Sequence, residues 1–169
     1  MLNACSGYDA AIWSNFFSAE AGASATLTGL IFVAVSINLS KIVALRLLIA
    51  RAAKALFTLV GVLLASTLCM TPGQSAKCLG WELTATGVLF WLLTSICYQA
   101  ATHHNPYVEM RHKMYQMILT ELAALPFIVG GVTLILGHGG GLYWLVAGTV
   151  FSFIGALLDA WVLLIEIHR

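Results

Sequence analysis

The sequence predicts an all-α, polytopic integral membrane protein: a bundle of five transmembrane helices forming one domain over residues 1–169, with the N-terminus outside and the C-terminus cytoplasmic. Three observations lead there. Hydrophobic residues make up 60% of the chain and charged residues 9%, against about 45–50% and about 25% in an average soluble domain. Several uncharged runs reach the length of about 20 residues that a hydrocarbon core about 30 Å thick requires at a helical rise of about 1.5 Å. The basic residues, finally, segregate to one side of those runs. Eight Lys and Arg with seven Asp and Glu are too few to cover a soluble globule of this size. The same composition excludes a disordered chain, a nucleic-acid-binding domain and a disulfide-stapled secreted module.

The five spans are expected at about 15–38, 54–71, 79–99, 115–136 and 142–166. Ala21 to Ser40 carries no charge, and neither does Ala55 to Ala76, whose apolar part stops at Thr71-Pro72-Gly73-Gln74. Leu83 to Thr102 is the third run. Leu122 to Leu158 is also uncharged but too long for one span, and Gly137-His138-Gly139-Gly140-Gly141 divides it as a turn between helices would. Backbone in lipid finds no water to bond, so each span must be helical. The longest connections are expected around Ser40 to Arg51 and from Thr102 to Lys113.

With five spans the termini lie on opposite sides. Lys41, Arg46, Arg51, Lys54, Arg111, Lys113 and Arg169 then share one side and Lys77 alone takes the other. The positive-inside rule makes the populated side cytoplasmic. A bacterial plasma (inner) membrane follows from this bias. Trp13, Phe16, Phe17, Trp81, Tyr143 and Trp144 mark the outer ends, and Tyr98, Tyr107 and Tyr115 the inner ends, as an interfacial aromatic belt. Met1 to Ala11 has neither the basic nor the apolar stretch of a signal peptide.

The first span carries two unusual faces. Ser18, Gly22, Ala25, Gly29 and Ser36 recur at three- and four-residue spacing, a small-residue seam that lets another helix come close. Glu20, Ser24, Thr28 and Asn38 form a polar stripe elsewhere on the helix. Such a helix belongs at the centre of a bundle or at a subunit interface, and the stripe either lines a hydrated path or returns its hydroxyls to backbone carbonyls. On the fifth span Gly148, Ser152, Gly155 and Asp159 share one face, so Asp159 points into protein, within reach of Lys54 or Arg51. Ionised, it would cost about 2.5–3.5 kcal/mol in the membrane interior unless paired. Glu121 is a third intramembrane acid, on a helix that Pro126, Gly130 and Gly131 would kink or thin.

Cys69 and Cys78 fall at the outer ends of two spans and are candidates for a disulfide, with free buried thiols as the alternative. No Cys-x-x-Cys, Gly-x-Ser-x-Gly, His-Glu-x-x-His or phosphate-cradling glycine loop occurs. His103, His104 and His112 with Glu109 lack a standard metal-ligand spacing. No metal, cofactor or catalytic residue is therefore expected. The expected function is an oligomeric conduit or transporter subunit for ions, protons or a small solute, with identical copies meeting through the first span. An accessory or scaffold subunit of a larger membrane complex is the alternative, and a membrane-embedded enzyme the third. The lipid bilayer is the common partner in all three.

Overall fold

The computed structural model describes residues 6–44, 46–102 and 110–167. A short 3-10 turn, Ser6–Tyr8, precedes six helices: α1 (Ser14–Ile37), α2 (Leu39–Ala44), α3 (Arg46–Cys69), α4 (Ala76–Thr102), α5 (Met110–Leu136) and α6 (Tyr143–Ile167). All except α2 contain a stretch of 22 to 24 residues long and apolar enough to cross a membrane. The chain is thus a polytopic, all-α membrane protein with five candidate spans. Its surface has the character that lipid requires: Phe32, Val33, Leu89, Ile118, Leu157 and Trp161 are all exposed.

Helices α3, α4, α5 and α6 form a closed ring in chain order, each against the next and α6 back against α3. Helix α1 lies outside this ring, laid mainly along α3 with a small contact to α6. Antiparallel neighbours give the molecule two ends. One holds the join of α2 and α3 and the far ends of α4 and α6, and is called here the basic end. The other holds the 3-10 turn, the connection at residues 70–75 and the glycine turn at 137–141.

The glycine-turn end is apolar inside. Phe17, Val62, Leu83, Phe127, Leu134 and Leu145 belong to one buried cluster there, fed by α1 and all four ring helices. The N-terminal turn is stitched onto it: Leu142 donates its backbone N–H to the Gly7 carbonyl at 2.8 Å, and Gly140 donates to the Tyr8 hydroxyl at 3.1 Å. Trp13 adds an edge contact to Tyr143, with ring centroids 4.8 Å apart. The close approach dictates glycine: at Gly141, φ is +56° and a Cβ would collide with the Gly7 carbonyl oxygen.

Helices α4 and α5 cross closely for a similar reason. A Cβ on Gly131 would collide with the Thr84 hydroxyl and lie 2.7 Å from the Gly80 carbonyl oxygen, and a Cβ on Gly80 would lie 2.7 Å from that of Gly131. Gly80, Thr84 and Gly87 recur at four- and three-residue spacing, so this is a small-residue seam of the kind that brings membrane helices into van der Waals contact. Gly130 and Gly131 therefore thin α5, which remains helical through Pro126.

Three expectations need correcting. Residues 40–51 are not a connection: α2 occupies Leu39–Ala44, and α3 begins at Arg46, eight residues before the expected start of its span. Arg51 and Lys54 are each 4% exposed and lie inside the protein. Of the two places expected for α1, the centre of the bundle or a subunit interface, the structure excludes the first. The helix turns Phe17, Ser24 and Ile31 inward and leaves Gly22, Ala25 and Gly29 exposed, with nothing within 4 Å of a Cβ built on either glycine. Phe17 is a core residue, 1% exposed, and not part of an interfacial belt.

The two glycine seams predict opposite responses to one methyl group. Gly131→Ala should push α4 and α5 apart and cost about 1–3 kcal/mol, read as a lower unfolding midpoint in detergent. Gly22→Ala should leave that midpoint of the isolated protomer unchanged.

Candidate functional site: a buried charge cluster and its cavity

Three ring helices converge near the basic end on a cluster of polar side chains. Lys54 is seven residues into the apolar stretch of α3 that starts at Leu47, about 10 Å deep at the helical rise. Asp159 is six residues from the basic end of the stretch on α6 and Gln116 two from that on α5. The Lys54 ammonium lies 3.2 Å from Asp159 Oδ2 and donates a hydrogen bond to Gln116 Oε1 at 2.6 Å. Gln116 Nε2 donates in turn to Asp159 Oδ1 at 3.4 Å, which closes a triangle. All three residues are buried: Lys54 and Gln116 are 4% exposed and Asp159 1%.

Local sequence explains each placement. On α6, Ser152, Gly155 and Asp159 stand at three- and four-residue spacing and are all buried, so one face of the helix carries the small residues and the acid inward. On α3, Arg51 and Lys54 are one turn apart and both buried. On α5, Gln116 and Thr120 repeat the pattern, with the Thr120 hydroxyl donating to the Gln116 carbonyl at 2.9 Å. The chemical result is a neutral pair held by a neutral amide that can both donate and accept. A proton added to Asp159 would leave the cluster with one positive charge.

Lys54 also borders a cavity of about 40 Å³ between α3, α4, α5 and α6. Thr58, Thr94, Thr120, Ser152 and Gly155 contribute to its wall. Several hydroxyls there bond to their own helix: Thr58 to the Lys54 carbonyl at 2.8 Å and Thr94 to the Phe90 carbonyl at 2.7 Å. Toward the glycine-turn end, the Phe90 ring covers Gly61 and the Phe127 ring covers Gly148.

The remaining sequence candidates are dispersed. On α1, Ser24 donates to the Ala21 carbonyl, Thr28 to that of Ser24 and Asn38 to that of Ala34, so the polar stripe is bonded along its own helix. Glu20 stands six residues into α1, in the half of the molecule opposite Asp159, and its Oε2 is buried with no hydrogen-bond partner among the described residues. Glu121 accepts a hydrogen bond from the Trp91 indole N–H at 2.9 Å and borders an outward groove between Ile118 and Leu125. Neither acid joins the Lys54 cluster. Of the candidate seam residues, Gly148, Ser152 and Gly155 are buried in the ring, whereas Gly22, Ala25 and Gly29 face outward. Cys69 is a buried free thiol and Cys78 an exposed free thiol. The Cys78 thiol is directed at Glu82, with Sγ 3.8 Å from Oε1. His103, His104, Glu109 and the side chain of His112 lie outside the described residues.

Sequence reasoning passed over Gln116, because a neutral amide near a span end does not interrupt an uncharged run. Its signal is the four-residue step Gln116–Thr120, which continues a polar face on α5. Comparison of the chain with family models, with curated proteins and with solved structures found no match.

Breaking the pair from one side leaves a buried charge without its counterion, at a cost of about 3–5 kcal/mol, whereas replacing both partners by apolar residues is often neutral. Lys54→Met and Asp159→Leu should each lower the denaturation midpoint in detergent, and the double variant should recover most of the loss. A double variant as unstable as the sum of the two would show that the pair does not act as a unit.

Proposed function

We propose that the protein is a small transport subunit of a membrane, with the Lys54–Asp159–Gln116 cluster as its ion- or proton-binding centre. One observation supports this above the others: a buried ion pair beside a cavity between four spanning helices. Charged groups at membrane depth are costly, and where they occur they mark ion or proton pathways more often than architecture. A bundle that needed only stability could fill the same volume with apolar side chains without loss. A pair next to a cavity adds something else, a group whose charge can change.

Four helices enclose no wide channel, so passage here involves binding at the cluster and a change of side-chain packing beyond it. Several identical copies are proposed to assemble through the exposed small-residue face of α1. Glu20, Ser24, Thr28 and Asn38, and Glu121 on α5, are secondary candidates along that route. The basic end is assigned to the cytoplasm by the bias of Lys and Arg, which places the N-terminus outside and the protein in a bacterial-type plasma membrane. The exposed seam of α1 also favours the second reading, a non-catalytic subunit docked on a larger membrane complex.

Purified protein in liposomes should dissipate an imposed ion or proton gradient. Asp159→Asn should reduce the rate at least about tenfold, equal to about 1.4 kcal/mol in barrier, with the helical content unchanged. A chain inert in liposomes that co-purifies with a second membrane protein would favour the scaffold reading. Membrane-impermeant reagents should reach the two chain ends from opposite compartments.

A further inference from the structure

The interior of the ring is not filled everywhere. At Gly61, Gly80, Gly87, Gly130, Gly131 and Gly148 an added Cβ would come within 3.1 Å of a neighbouring atom. Among the described buried glycines Gly155, on α6, is the exception: a Cβ built on it meets nothing within 4 Å. The space beside it is the cavity of about 40 Å³ between the four ring helices, whose wall Gly155 joins. Thr58, on the same wall, stands midway between Leu47 and Cys69, the ends of the apolar stretch of α3, so the cavity lies at mid-span. Alanine is the better helix former and would meet no neighbour here. Glycine thus leaves open a space that one methyl group would largely close.

The wall is hydrocarbon for the most part. Val62, Phe90, Leu119, Ala123 and Phe127 bring no polar side-chain atom to it. The hydroxyls of Thr58, Thr94 and Thr120 donate to carbonyls of their own helices. The Lys54 ammonium is held by Asp159 at 3.2 Å and by Gln116 at 2.6 Å. An internal water needs about two to four polar partners, and an apolar cavity that does not supply them stays dry. Polar solutes and ions are turned away for the same reason, because they would give up their hydration without replacement. An apolar molecule has no hydrogen bonds to lose. It gains dispersion contacts with wall atoms that have no neighbour on the cavity side.

Volume sets the limit on size. An apolar cavity of about 150 Å³ takes benzene or xenon, and this one, at about 40 Å³, is too small for a six-membered ring. Four spanning helices surround it, so lipid hydrocarbon surrounds them, and apolar solutes concentrate there in preference to water.

We propose that the cavity at Gly155 is a binding site for an apolar gas taken up from the lipid. The ligand class is a molecule of about one to three heavy atoms without a hydrogen-bonding group, of which dioxygen is the chemical type. The step is binding alone, with no bond made or broken. This site differs from the Lys54–Asp159–Gln116 centre in what it recognises, and it does not rest on the transport reading. So few atoms limit the dissociation constant to about millimolar at the tightest, by the ceiling on binding energy per atom. Occupancy therefore follows the amount of gas dissolved in the membrane instead of saturating at trace levels.

Xenon under pressure is the first probe, applied to the full chain in lipid nanodiscs with the methyl groups of Ala, Val and Leu labelled for NMR. The Val62 and Ala123 methyl resonances should shift with xenon pressure and then level off. Those of Leu79 and Leu142, packed in the cluster at the glycine-turn end, should stay in place. A methyl group occupies about as much space as a water molecule, about 30 Å³, so Gly155→Ala should reduce the shift at least about threefold. The same variant should unfold at a higher midpoint than the wild type. A lower midpoint would mean that the space beside Gly155 is already filled and would overturn the proposal. Gly155→Val should abolish the shift, and Ala123→Val, read at Val62, fills the cavity from α5 if that variant does not fold.

The lack of a saturable shift in the wild type would overturn the proposal, and so would a shift undiminished in Gly155→Ala, which puts the xenon elsewhere. Cross-relaxation from water to the Val62 and Ala123 methyls would show a wet cavity, with the same consequence. Dioxygen then replaces xenon. Being paramagnetic, it should speed the relaxation of the Val62 and Ala123 methyls above that of Leu79 and Leu142, and Gly155→Ala should remove the difference. Equal relaxation in the wild type would overturn the assignment to a gas of this type. None of these readouts involves a gradient or a flux, so their failure and the failure of the transport reading are told apart.

Discussion

The arrangement of the ring depends on one constraint: an ammonium and a carboxylate must meet where no water is at hand. Either ion alone would cost about 2.5–3.5 kcal/mol in the membrane interior on insertion scales. Lys54 on α3 and Asp159 on α6 are therefore required to be neighbours, and Gln116 fixes α5 against both. The pair sets depth and rotation of three helices at the basic end. At the opposite end no charge is involved. There the Gly80–Gly131 crossing and the docking of the 3-10 turn on the glycine turn hold the helices by contact of backbone with backbone. The bundle is thus fixed electrostatically at one end and sterically at the other.

These two fixings differ in what can undo them. Close glycine packing has no titratable part, and only a change of shape loosens it. The ion pair loosens when the carboxylate takes a proton, because its attraction for the ammonium then falls to that of an ordinary hydrogen bond. Any conformational response to proton binding should accordingly originate at the basic end. It would be felt first by α3, α5 and α6, which share the cluster, and less by α1, which touches the ring mainly along α3.

How far the sequence discloses this follows from the kind of signal each part leaves. The number and approximate limits of the spans are legible, because a bilayer demands long uncharged runs and the chain has them. The start of α3 is misread for the same reason: the run rule treats Arg51 and Lys54 as the edge of the membrane, while they are buried within the helix. The rule fails at the buried cluster, since that is where charge is placed against the general trend. Asp159 announces itself by isolation within an apolar stretch, and Gln116 does not, because an amide breaks no run. Helix α1 is legible only in part. Its small residues reveal that a helix can approach, but periodicity carries no information on whether the partner belongs to the same chain. The α4–α5 seam has the same spacing and is filled from within.

The position of the cavity then limits how the two halves of the molecule share the work. Lys54 and a few hydroxyl residues lie on the basic side of a cavity whose wall is otherwise apolar, and beyond Gly61 the interior passes to Val62, Leu83, Phe127 and Leu145. The Phe127 ring occupies the space over Gly148 that a larger residue on α6 would claim. The two sides of the cavity are thus held by different parts of the sequence: Lys54, Gln116 and Asp159 toward the basic end, and the glycine–aromatic contact of α5 and α6 beyond it.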